Sequence, residues 1–345
     1  MKNNNIELIT GFKFAEIADV IFSGVFLKSQ IEKLSLKENI ENHIGDNEYI
    51  FVRKKRFVLK ENQIIFCKTE YIKELFQILR TQCNFKNIKL ITHQSDLRIT
   101  KKLHLSRPDC ISKWYSINVD YNHEDLIPIP IGIANFHSKN LSETIFTEKV
   151  KTNDFFADKD KLLYVNFNPN TNFEHRKGLY DFFNKMSWVN SNSTTLRHIE
   201  YKKSLSSHSF TLAPWGNGID THRFWEALYS GSIPITKKHP MYEFFNSIPK
   251  VLVSNYKEIS DDFLDIELMK LQKKIDVFDL KECDFRYWKK IIYDDSNNLQ
   301  NEQSEVYINH YDWFYRNIAD FRHTIKSKFK HLNRVRRLIY RVLGI

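Results

Sequence analysis

The chain has 345 residues, of which 42% are hydrophobic and 14% aromatic, and it carries a formal net charge of +10. This composition excludes a disordered chain, and the length suits two domains that each bury a core. No apolar run approaches the ~20 residues of a membrane span, and the residues from Met1 to Glu7 lack the hydrophobic core of a signal peptide.

Strands alternate with a helix in the first part of the chain. Residues 48–52 and 64–67 have the composition of strands, residues 71–79 have helical periodicity, and residues 89–92 form a further apolar strand. Residues 5–30 fit a helical or a mixed interpretation. The alternation predicts the α/β class with a parallel, doubly wound sheet.

Two polar side chains follow the strand that ends near Thr92. His93 and Asp96 come at its carboxyl end, where open α/β sheets bind ligands. We therefore expect both side chains to reach a cleft between two domains. Taken singly, each has a structural alternative, because Asp96 can cap a turn and His93 can form a local hydrogen bond.

A polar stretch rich in lysine and acidic residues is predicted to divide the chain. Alternation of strands and helices restarts at Lys161. We expect an N-terminal Rossmann-like domain at residues 1–155 and a C-terminal one at residues 156–321. Asp158 and Asp160 have the letters of a D-x-D metal site, but no apolar strand precedes them, and we interpret them as solvated charges.

The four cysteines are scattered along both predicted domains. The sequence has no C-x-x-C pair and no histidine cluster at metal-ligand spacing. This pattern favours buried thiols in a reducing, cytoplasmic compartment, and it predicts no metal site. The four are Cys67, Cys83, Cys110 and Cys283.

The most informative segment runs from strand to strand through a glycine loop. Residues 209–213 alternate as a half-buried strand, Asp220 or Thr221 can cap a helix, and residues 233–235 resume as a short buried strand. Gly231 lies where a helix C-terminal glycine is expected. Such a unit presents backbone N–H groups and the positive end of a helix dipole to a bound anion.

The glycine spacing excludes two common phosphate-binding motifs. The glycines do not continue into G-x-G-x-x-G and no G-K-[ST] follows them, so neither a dinucleotide fingerprint nor a Walker loop is predicted. His222, Arg223 and Glu226 share one helix face, where Arg223 can add a bidentate positive charge. In the alternative interpretation, Arg223 and Glu226 form a surface ion pair worth ~0.3–0.5 kcal/mol and His222 is solvated.

The excess positive charge is concentrated at the C-terminus. Residues 322–345 contain eight Lys or Arg and no acidic residue, which leaves a net charge of +2 for the first 321 residues. Apolar residues recur there at three- and four-residue spacing, which predicts a basic amphipathic helix. Such a helix binds an anionic membrane surface or, alternatively, docks on its own protein. No RNA-binding motif favours nucleic acid as a partner.

The segment from Pro214 to Ile235 resembles the signature of the exostosin-like glycosyltransferases. It reads P-x-G-N-G-I-D-T-H-R-x-W-E-A-L-x-x-G-x-I-P-I. The resemblance spans roughly residues 85–260, and the donor motif of bacterial fucosyltransferases is similar over a shorter stretch, with His222 and Arg223 in place of its Glu-Lys pair. The other segments that fit are Leu90–Asp96, Ile127–Gly132, Leu163–Phe167 and His175–Lys177.

The resemblance implies the GT-B fold, in which two Rossmann-like domains face a cleft that binds a nucleotide-sugar. Sugar transfer requires that the leaving diphosphate is neutralised and that the acceptor hydroxyl is deprotonated. Helix amides and arginines fit the first task, Glu226 fits the ribose, and Asp96, or else His93, fits the general base. The expected donor-binding residues are Arg176, Gly216, Asn217, Gly218, Asp220, His222, Arg223 and Glu226.

The sequence therefore predicts a glycosyltransferase of the hexosyl- or pentosyltransferase class. The resemblance implies that it inverts the anomeric centre, and we expect it to need no metal or other cofactor. We expect it at the cytoplasmic membrane face, with a glycan or lipid-linked acceptor in surface polysaccharide synthesis. One alternative is a non-catalytic nucleotide-sugar-binding or scaffold protein of the same fold. A nucleic-acid-binding protein is a more distant alternative.

Overall fold

The structure is a computed structural model. Its strands form a seven-stranded sheet, a five-stranded sheet and a two-stranded ribbon. We call residues 6–134 the first unit, which contains the seven-stranded sheet, and residues 150–284 the second unit, which contains the five-stranded sheet. The residues described are 6–34, 43–44, 49–54, 56–84, 86–134, 146, 150–192, 196–294 and 305–309.

The seven-stranded sheet has a parallel centre and an antiparallel edge. The first eight strands of the chain are β1 (Val20–Leu27), β2 (His43–Ile44), β3 (Tyr49–Arg53), β4 (Arg56–Lys60), β5 (Ile64–Lys68), β6 (Ile88–His93), β7 (Ile111–Ser116) and β8 (Leu126–Pro128). The sheet order is β2-β3-β1-β5-β6-β7-β8, with parallel pairs from β1 to β8 and β3 antiparallel to both of its neighbours. The strands predicted at residues 48–52, 64–67 and 89–92 are confirmed as β3, β5 and β6, although the alternation did not predict the direction of β3.

The five-stranded sheet of the second unit is entirely parallel. Its strands are β9 (Lys161–Val165), β10 (Val189–Ser191), β11 (His208–Leu212), β12 (Ile233–Lys237) and β13 (Val251–Val253). Their order is β10-β9-β11-β12-β13. The prediction of a half-buried strand at residues 209–213 was wrong in its burial, because β11 is the central strand and is buried along its length. Its polar side chains find partners inside, as Thr211 Oγ1 does at 2.8 Å from Ser232 Oγ.

Helices cover both sheets. In chain order they are α1 (Gly11–Glu16), α2 (Lys28–Lys33), α3 (Ile72–Gln82), α4 (Lys101–Leu105), α5 (Phe173–Arg176), α6 (Leu179–Phe183), α7 (His198–Ser206), α8 (His222–Leu228), α9 (Pro240–Phe244), α10 (Asp261–Gln272) and α11 (Phe285–Asp294).

Helix α8 follows the glycine loop, as the sequence predicts, and buries its apolar stripe. Thr221 is the N-cap residue, but its side chain makes no capping hydrogen bond. Asp220 does not cap the helix either, because its carboxylate accepts a hydrogen bond from the backbone of Ile131. Gly231 has a left-handed backbone with φ of 71° and donates its N–H to Leu228, as expected of a helix C-terminal glycine.

The C-terminal part of the described chain returns to the first unit. Lys89 in β6 donates from its Nζ to the carbonyl of Ile292 in α11, at 2.6 Å. The last described strand, β14 (Glu305–Asn309), pairs with β4 in an antiparallel ribbon. The predicted domain limits remain a prediction, and the predicted basic tail at residues 322–345 lies outside the described residues.

The N-terminal segment lies where the two units and α11 meet. The backbone N–H of Ile9 donates to the hydroxyl of Tyr229 at 3.2 Å, and its carbonyl accepts from the N–H of Ile133 at 3.0 Å. The carbonyl of Glu7 accepts from the N–H of Phe285 at 2.9 Å. This short segment therefore bonds to both units and to the returning helix.

The predicted class, α/β with two Rossmann-like units facing a cleft, is confirmed. The carboxyl ends of strands from the two sheets meet, and loops that follow β6, β7 and β8 contact the loop that follows β11. Among the described residues, no helix has the length and hydropathy needed to cross a membrane.

Candidate active site

The side chain of Arg176 holds the glycine loop between β11 and α8 through hydrogen bonds to its backbone. The Arg176 side chain donates from Nε to the carbonyl of Trp215 at 2.8 Å, from Nη2 to Pro214 at 2.9 Å, and from Nη1 to Asn168 at 3.2 Å. It is only 5% exposed. Burial lowers the pKa of Arg176 to about 10, with a contribution from the charge of Arg223, so the group stays cationic at neutral pH. The hydrogen bonds of Arg176 therefore stabilise the loop, and its positive charge lies next to the loop backbone.

Arg223 lies in the first turn of α8 and is half-buried. Its Nε atom is buried and has no hydrogen-bond partner among the described residues. Burial lowers the pKa of Arg176, and the nearby charge of Arg223 lowers it further. Burial raises the pKa values of Tyr164 and Tyr201, and the charge of Arg223 opposes that rise. Two neighbouring cations, one of them with an unpaired buried donor, create a place suited to an anion.

Glu226 lies beside Arg223 on α8 but does not pair with it. The Glu226 carboxylate accepts a hydrogen bond from the hydroxyl of Tyr201 in α7, at 3.0 Å. No ion pair joins Arg223 to Glu226, both of which lie in the described part of the chain. The surface ion pair considered as an alternative is therefore not formed.

Asp220 is a buried junction of the loop. Its carboxylate accepts from the backbone N–H of Ile131 at 2.7 Å and of Thr221 at 2.9 Å, and from Nε1 of Trp225 at 2.9 Å. Burial raises the pKa of Asp220 to about 7, and these donated hydrogen bonds oppose the rise. The side chain connects the two units instead of facing open space, so its predicted contact with the donor has no support in this geometry.

The other predicted loop residues also contact protein groups. His222 Nδ1 lies 2.7 Å from the carbonyl oxygen of Gly132, to which it donates. The carbonyl of Gly216 accepts a hydrogen bond from the side chain of Asn172. Gly218 packs against the side chain of Asn118 in the first unit. These contacts fix the loop between the two units.

His93 lies at the end of β6, as predicted, but is 2% exposed. Its Nδ1 accepts from the backbone N–H of Gln94 at 2.7 Å, which leaves Nε2 to carry the proton, 3.4 Å from the carbonyl oxygen of Pro130. Burial, with a smaller contribution from the charge of His222, lowers the pKa of His93 to about 3. Both ring nitrogens are engaged, and this geometry suits packing better than proton transfer.

Asp96 is exposed in the loop that follows β6. Its carboxylate accepts a hydrogen bond from Nδ2 of Asn217 in the glycine loop, at 3.2 Å. The structure thus brings together two of the predicted site residues from different units. Of the two predicted bases, Asp96 is the one that solvent and an acceptor can reach.

Sequence reasoning did not single out Asn118 or His239, which also lie between the units. Asn118 bonds to the backbone of Asp220. His239 lies edge-on to Trp215, with ring centroids 5.2 Å apart, and its Nε2 is 3.2 Å from the carboxylate of Asp120. Both Asn118 and Asp120 follow β7, so the rule that placed His93 and Asp96 after β6 could have found them.

No three His, Cys, Asp or Glu side chains of the described residues are grouped so that they could hold a metal ion. Cationic groups near the loop are Arg176 and Arg223, and the Arg98 guanidinium lies 5.6 Å from the centroid of the Trp215 ring. Metal independence remains a prediction.

Comparison with known proteins finds glycosyltransferases among the solved structures that match this chain. No protein-family model and no curated protein matches the sequence. A crystal structure of alpha1,3-fucosyltransferase is 14% identical with a TM-score of 0.31, over 76% of this chain and 78% of that one. A crystal structure of alpha1,3-fucosyltransferase with GDP-fucose is 15% identical with a TM-score of 0.27, over 69% and 77%. AviGT4, a glycosyltransferase involved in Avilamycin A biosynthesis, is 13% identical with a TM-score of 0.26, over 64% and 78%. None of the three is exostosin-like by name, so that assignment stays a prediction.

Proposed function

We propose that this chain is a glycosyltransferase that moves a sugar from a nucleotide-sugar donor to an acceptor hydroxyl in the cleft between its two units. The observation that carries the proposal is Arg223, whose buried Nε has no hydrogen-bond partner in the described residues. An unsatisfied buried donor costs about 1–3 kcal/mol. A diphosphate oxygen bound at Arg223 would remove that cost, which favours binding of the donor at this position.

In this proposal the positive charge of Arg176 stabilises the same diphosphate electrostatically. Its guanidinium is fixed by two carbonyls of the glycine loop and by that of Asn168 after β9, so it needs no reorganisation when charge develops on the leaving group. Its positive charge also acts in a buried setting, where Coulomb interactions are stronger than in water. The donor-binding role of Arg176 is thus one of charge and support, and Arg223 provides the direct contact.

Asp96 fits the general base of the proposed reaction. It is exposed on the first unit and touches Asn217 of the glycine loop. In the proposed step the acceptor oxygen bonds to the anomeric carbon as the bond from that carbon to the diphosphate breaks. Asp96 takes the hydroxyl proton and the diphosphate leaves with the electron pair, next to Arg223. Such a displacement inverts the anomeric centre, as the sequence resemblance implies.

The finer parts of the proposal rest on the sequence alone. These are membership of the exostosin-like group, independence of a metal, and a glycan or lipid-linked acceptor in surface polysaccharide synthesis. Attachment to the cytoplasmic membrane face would use the basic residues 322–345, which lie outside the described residues. Glu226, hydrogen-bonded to Tyr201, fits a contact with the ribose of the donor.

A thermal-shift panel tests the donor site directly. We would measure unfolding of the wild-type protein with UDP-, GDP-, CMP- and dTDP-sugars, with and without EDTA. A ligand at a hundred times its dissociation constant stabilises the fold by about 2.7 kcal/mol. We expect one nucleotide to stabilise the protein in both conditions. Replacing Arg223→Ala should abolish that stabilisation and the sugar transfer.

Arg197→Ala is the matched control, because Arg197 is an exposed arginine in the second unit that pairs with Glu200 on the surface. It should retain both stabilisation and transfer. Full activity of Arg223→Ala would reject the donor site. Stabilisation without any sugar transfer would favour the non-catalytic binding protein, and a flat panel would reject the family assignment as well.

A further inference from the structure

Asn118 touches both loops that carry the proposed reacting groups, and we propose that it is a positioning residue that sets the separation between the base and the donor. The inference rests on the proposed function. Asn118 follows β7, is fully buried, and has a left-handed backbone with φ of 56°. Asparagine tolerates this conformation better than most residues because its short side chain bonds locally.

The amide of Asn118 makes one hydrogen bond to each loop. Its Nδ2 donates to the carbonyl of Ser95 at 2.9 Å, and its Oδ1 accepts from the backbone N–H of Asp220 at 2.9 Å. The orientation of the amide is determined, since one end meets an acceptor and the other a donor. Ser95 directly precedes Asp96, and Asp220 lies in the loop that leads to Arg223. One side chain therefore connects the backbone beside the proposed base to the backbone beside the diphosphate site.

Gly218 provides a second, independent observation. A Cβ atom at position 218 would lie 2.8 Å from both Oδ1 and Nδ2 of Asn118. Real Cβ atoms do not approach other heavy atoms so closely, so the glycine allows the loop backbone to rest directly on the amide. Both the hydrogen bonds and this contact fix the same distance between the loops.

Loss of this side chain should affect catalysis more than donor binding. Arg223 and Arg176 belong to the second unit and keep their places without Asn118, whereas Asp96 belongs to the first unit. A misplacement of about 1 Å between reacting groups can cost about a hundredfold in rate. We therefore expect kcat to fall about ten- to a hundredfold, with the donor Kd changed less than about threefold.

Asn118→Gly is the informative variant, because glycine accepts the left-handed backbone and removes only the side chain. Asn62→Gly is the control, since Asn62 has a similar φ of 65° in the turn between β4 and β5, away from the cleft. Hydrogen exchange at the Asp220 amide should be at least about tenfold faster in Asn118→Gly and unchanged in Asn62→Gly. Gly218→Ala should reproduce the kcat defect from the opposite side of the contact. The double variant should be no worse than Asn118→Gly.

The exchange measurement needs no substrate, so it separates the two proposals. Unchanged exchange at Asp220 in Asn118→Gly overturns the positioning role, whatever the protein transfers. Faster exchange with an unchanged kcat also overturns it, because the contact would then be structural only. A donor Kd that rises as much as kcat falls would place Asn118 in donor binding instead. If the wild-type protein binds no nucleotide-sugar, the proposed function fails, and with it the catalytic meaning of Asn118.

Discussion

Arg176 and Arg223 are chemically identical side chains whose surroundings give them different tasks. Arg176 is buried and donates to the carbonyls of Pro214, Trp215 and Asn168, whereas the Nε of Arg223 has no partner in the described residues. Arginine suits both tasks, because its planar fork keeps its charge when buried and presents several donors at fixed angles. The sequence predicts the same donor-binding role for both arginines, and only their contacts in the structure distinguish them.

Replacing Arg176 should destabilise the fold as well as weaken donor binding. Arg176→Met leaves three carbonyls of the loop region without their donor, and each lost hydrogen bond is worth about 1 kcal/mol. We expect the free energy of unfolding in urea to fall by about 2–3 kcal/mol. Arg176→Lys should recover part of this loss at most, because an ammonium cannot reach three carbonyls with the geometry of the fork. Equal stability of Arg176→Met and the wild-type protein would contradict the bracing role.

Polar residues at loop positions were the hardest to interpret from sequence. His93 ends β6 and Asp220 lies in the glycine loop, as expected, yet both are buried and their polar atoms bond to backbone partners. Asp96, three residues after His93, is exposed. Sequence spacing fixes which loop a residue occupies, but the inward or outward direction of a loop side chain depends on the opposite unit, whose backbone supplies the partners.

At the scale of elements, the turn after α8 shows how a glycine can serve two purposes. Gly231 has a left-handed backbone, and a Cβ there would lie 3.1 Å from the Cβ of Asp154. Its carbonyl also accepts from Nζ of Lys159 at 2.5 Å. The glycine therefore ends the helix and allows the linker before β9 to pack closely.

Gly231→Ala and Gly178→Ala form a matched pair that separates these purposes. Gly178 has a similar φ of 74°, but a Cβ there would have no neighbour within 4 Å. Gly178→Ala should cost about 1–2 kcal/mol from backbone strain alone. Gly231→Ala should cost more, because Asp154 must also move. Denaturation of both variants measures the difference, and equal losses would show that the contact with Asp154 relaxes freely.

Helices and strands with a strong local sequence pattern were predictable, but the partners and directions of the strands in the sheets were not. The strands β5, β6 and β11 and the helix α8 each follow an apolar run or stripe that is visible in the sequence. The antiparallel direction of β3 and the return of β14 to β4 depend on contacts between distant residues. The burial of β11 on both faces has the same origin, since its central place in the sheet comes from strands before and after it.

At the scale of the whole molecule, buried histidines should make the fold sensitive to acid. Burial lowers the pKa of His93 to about 3 and that of His208 to about 4. Above about pH 6.5 these histidines are neutral in both the folded and the unfolded chain. Below that pH only the unfolded chain takes up the protons, so the free energy of unfolding falls by about 1.4 kcal/mol per pH unit for each histidine. Asp220 acts in the opposite direction, because its pKa is raised to about 7 and the folded protein takes up that proton first.

We expect the free energy of unfolding in urea to be about 1–2 kcal/mol lower at pH 5.5 than at pH 7.5. His93→Gln, which can keep the donor to Pro130, should make this loss smaller. His198→Gln, at an exposed histidine of α7, serves as the control and should leave the loss unchanged. A wild-type protein equally stable at both pH values would show that these histidines do not govern its acid response.

The N-terminal segment has a consequence for biosynthesis. The backbone N–H of Glu7 bonds to the side chain of Asp284, a partner 277 positions later in the chain. Ribosomes add about 5–20 residues per second, so the segment waits on the order of 14–55 s for that partner to be made. The bond between Ile9 and Ile133 can form as soon as the first unit has been made, whereas the bond from Glu7 must wait until the second unit is complete.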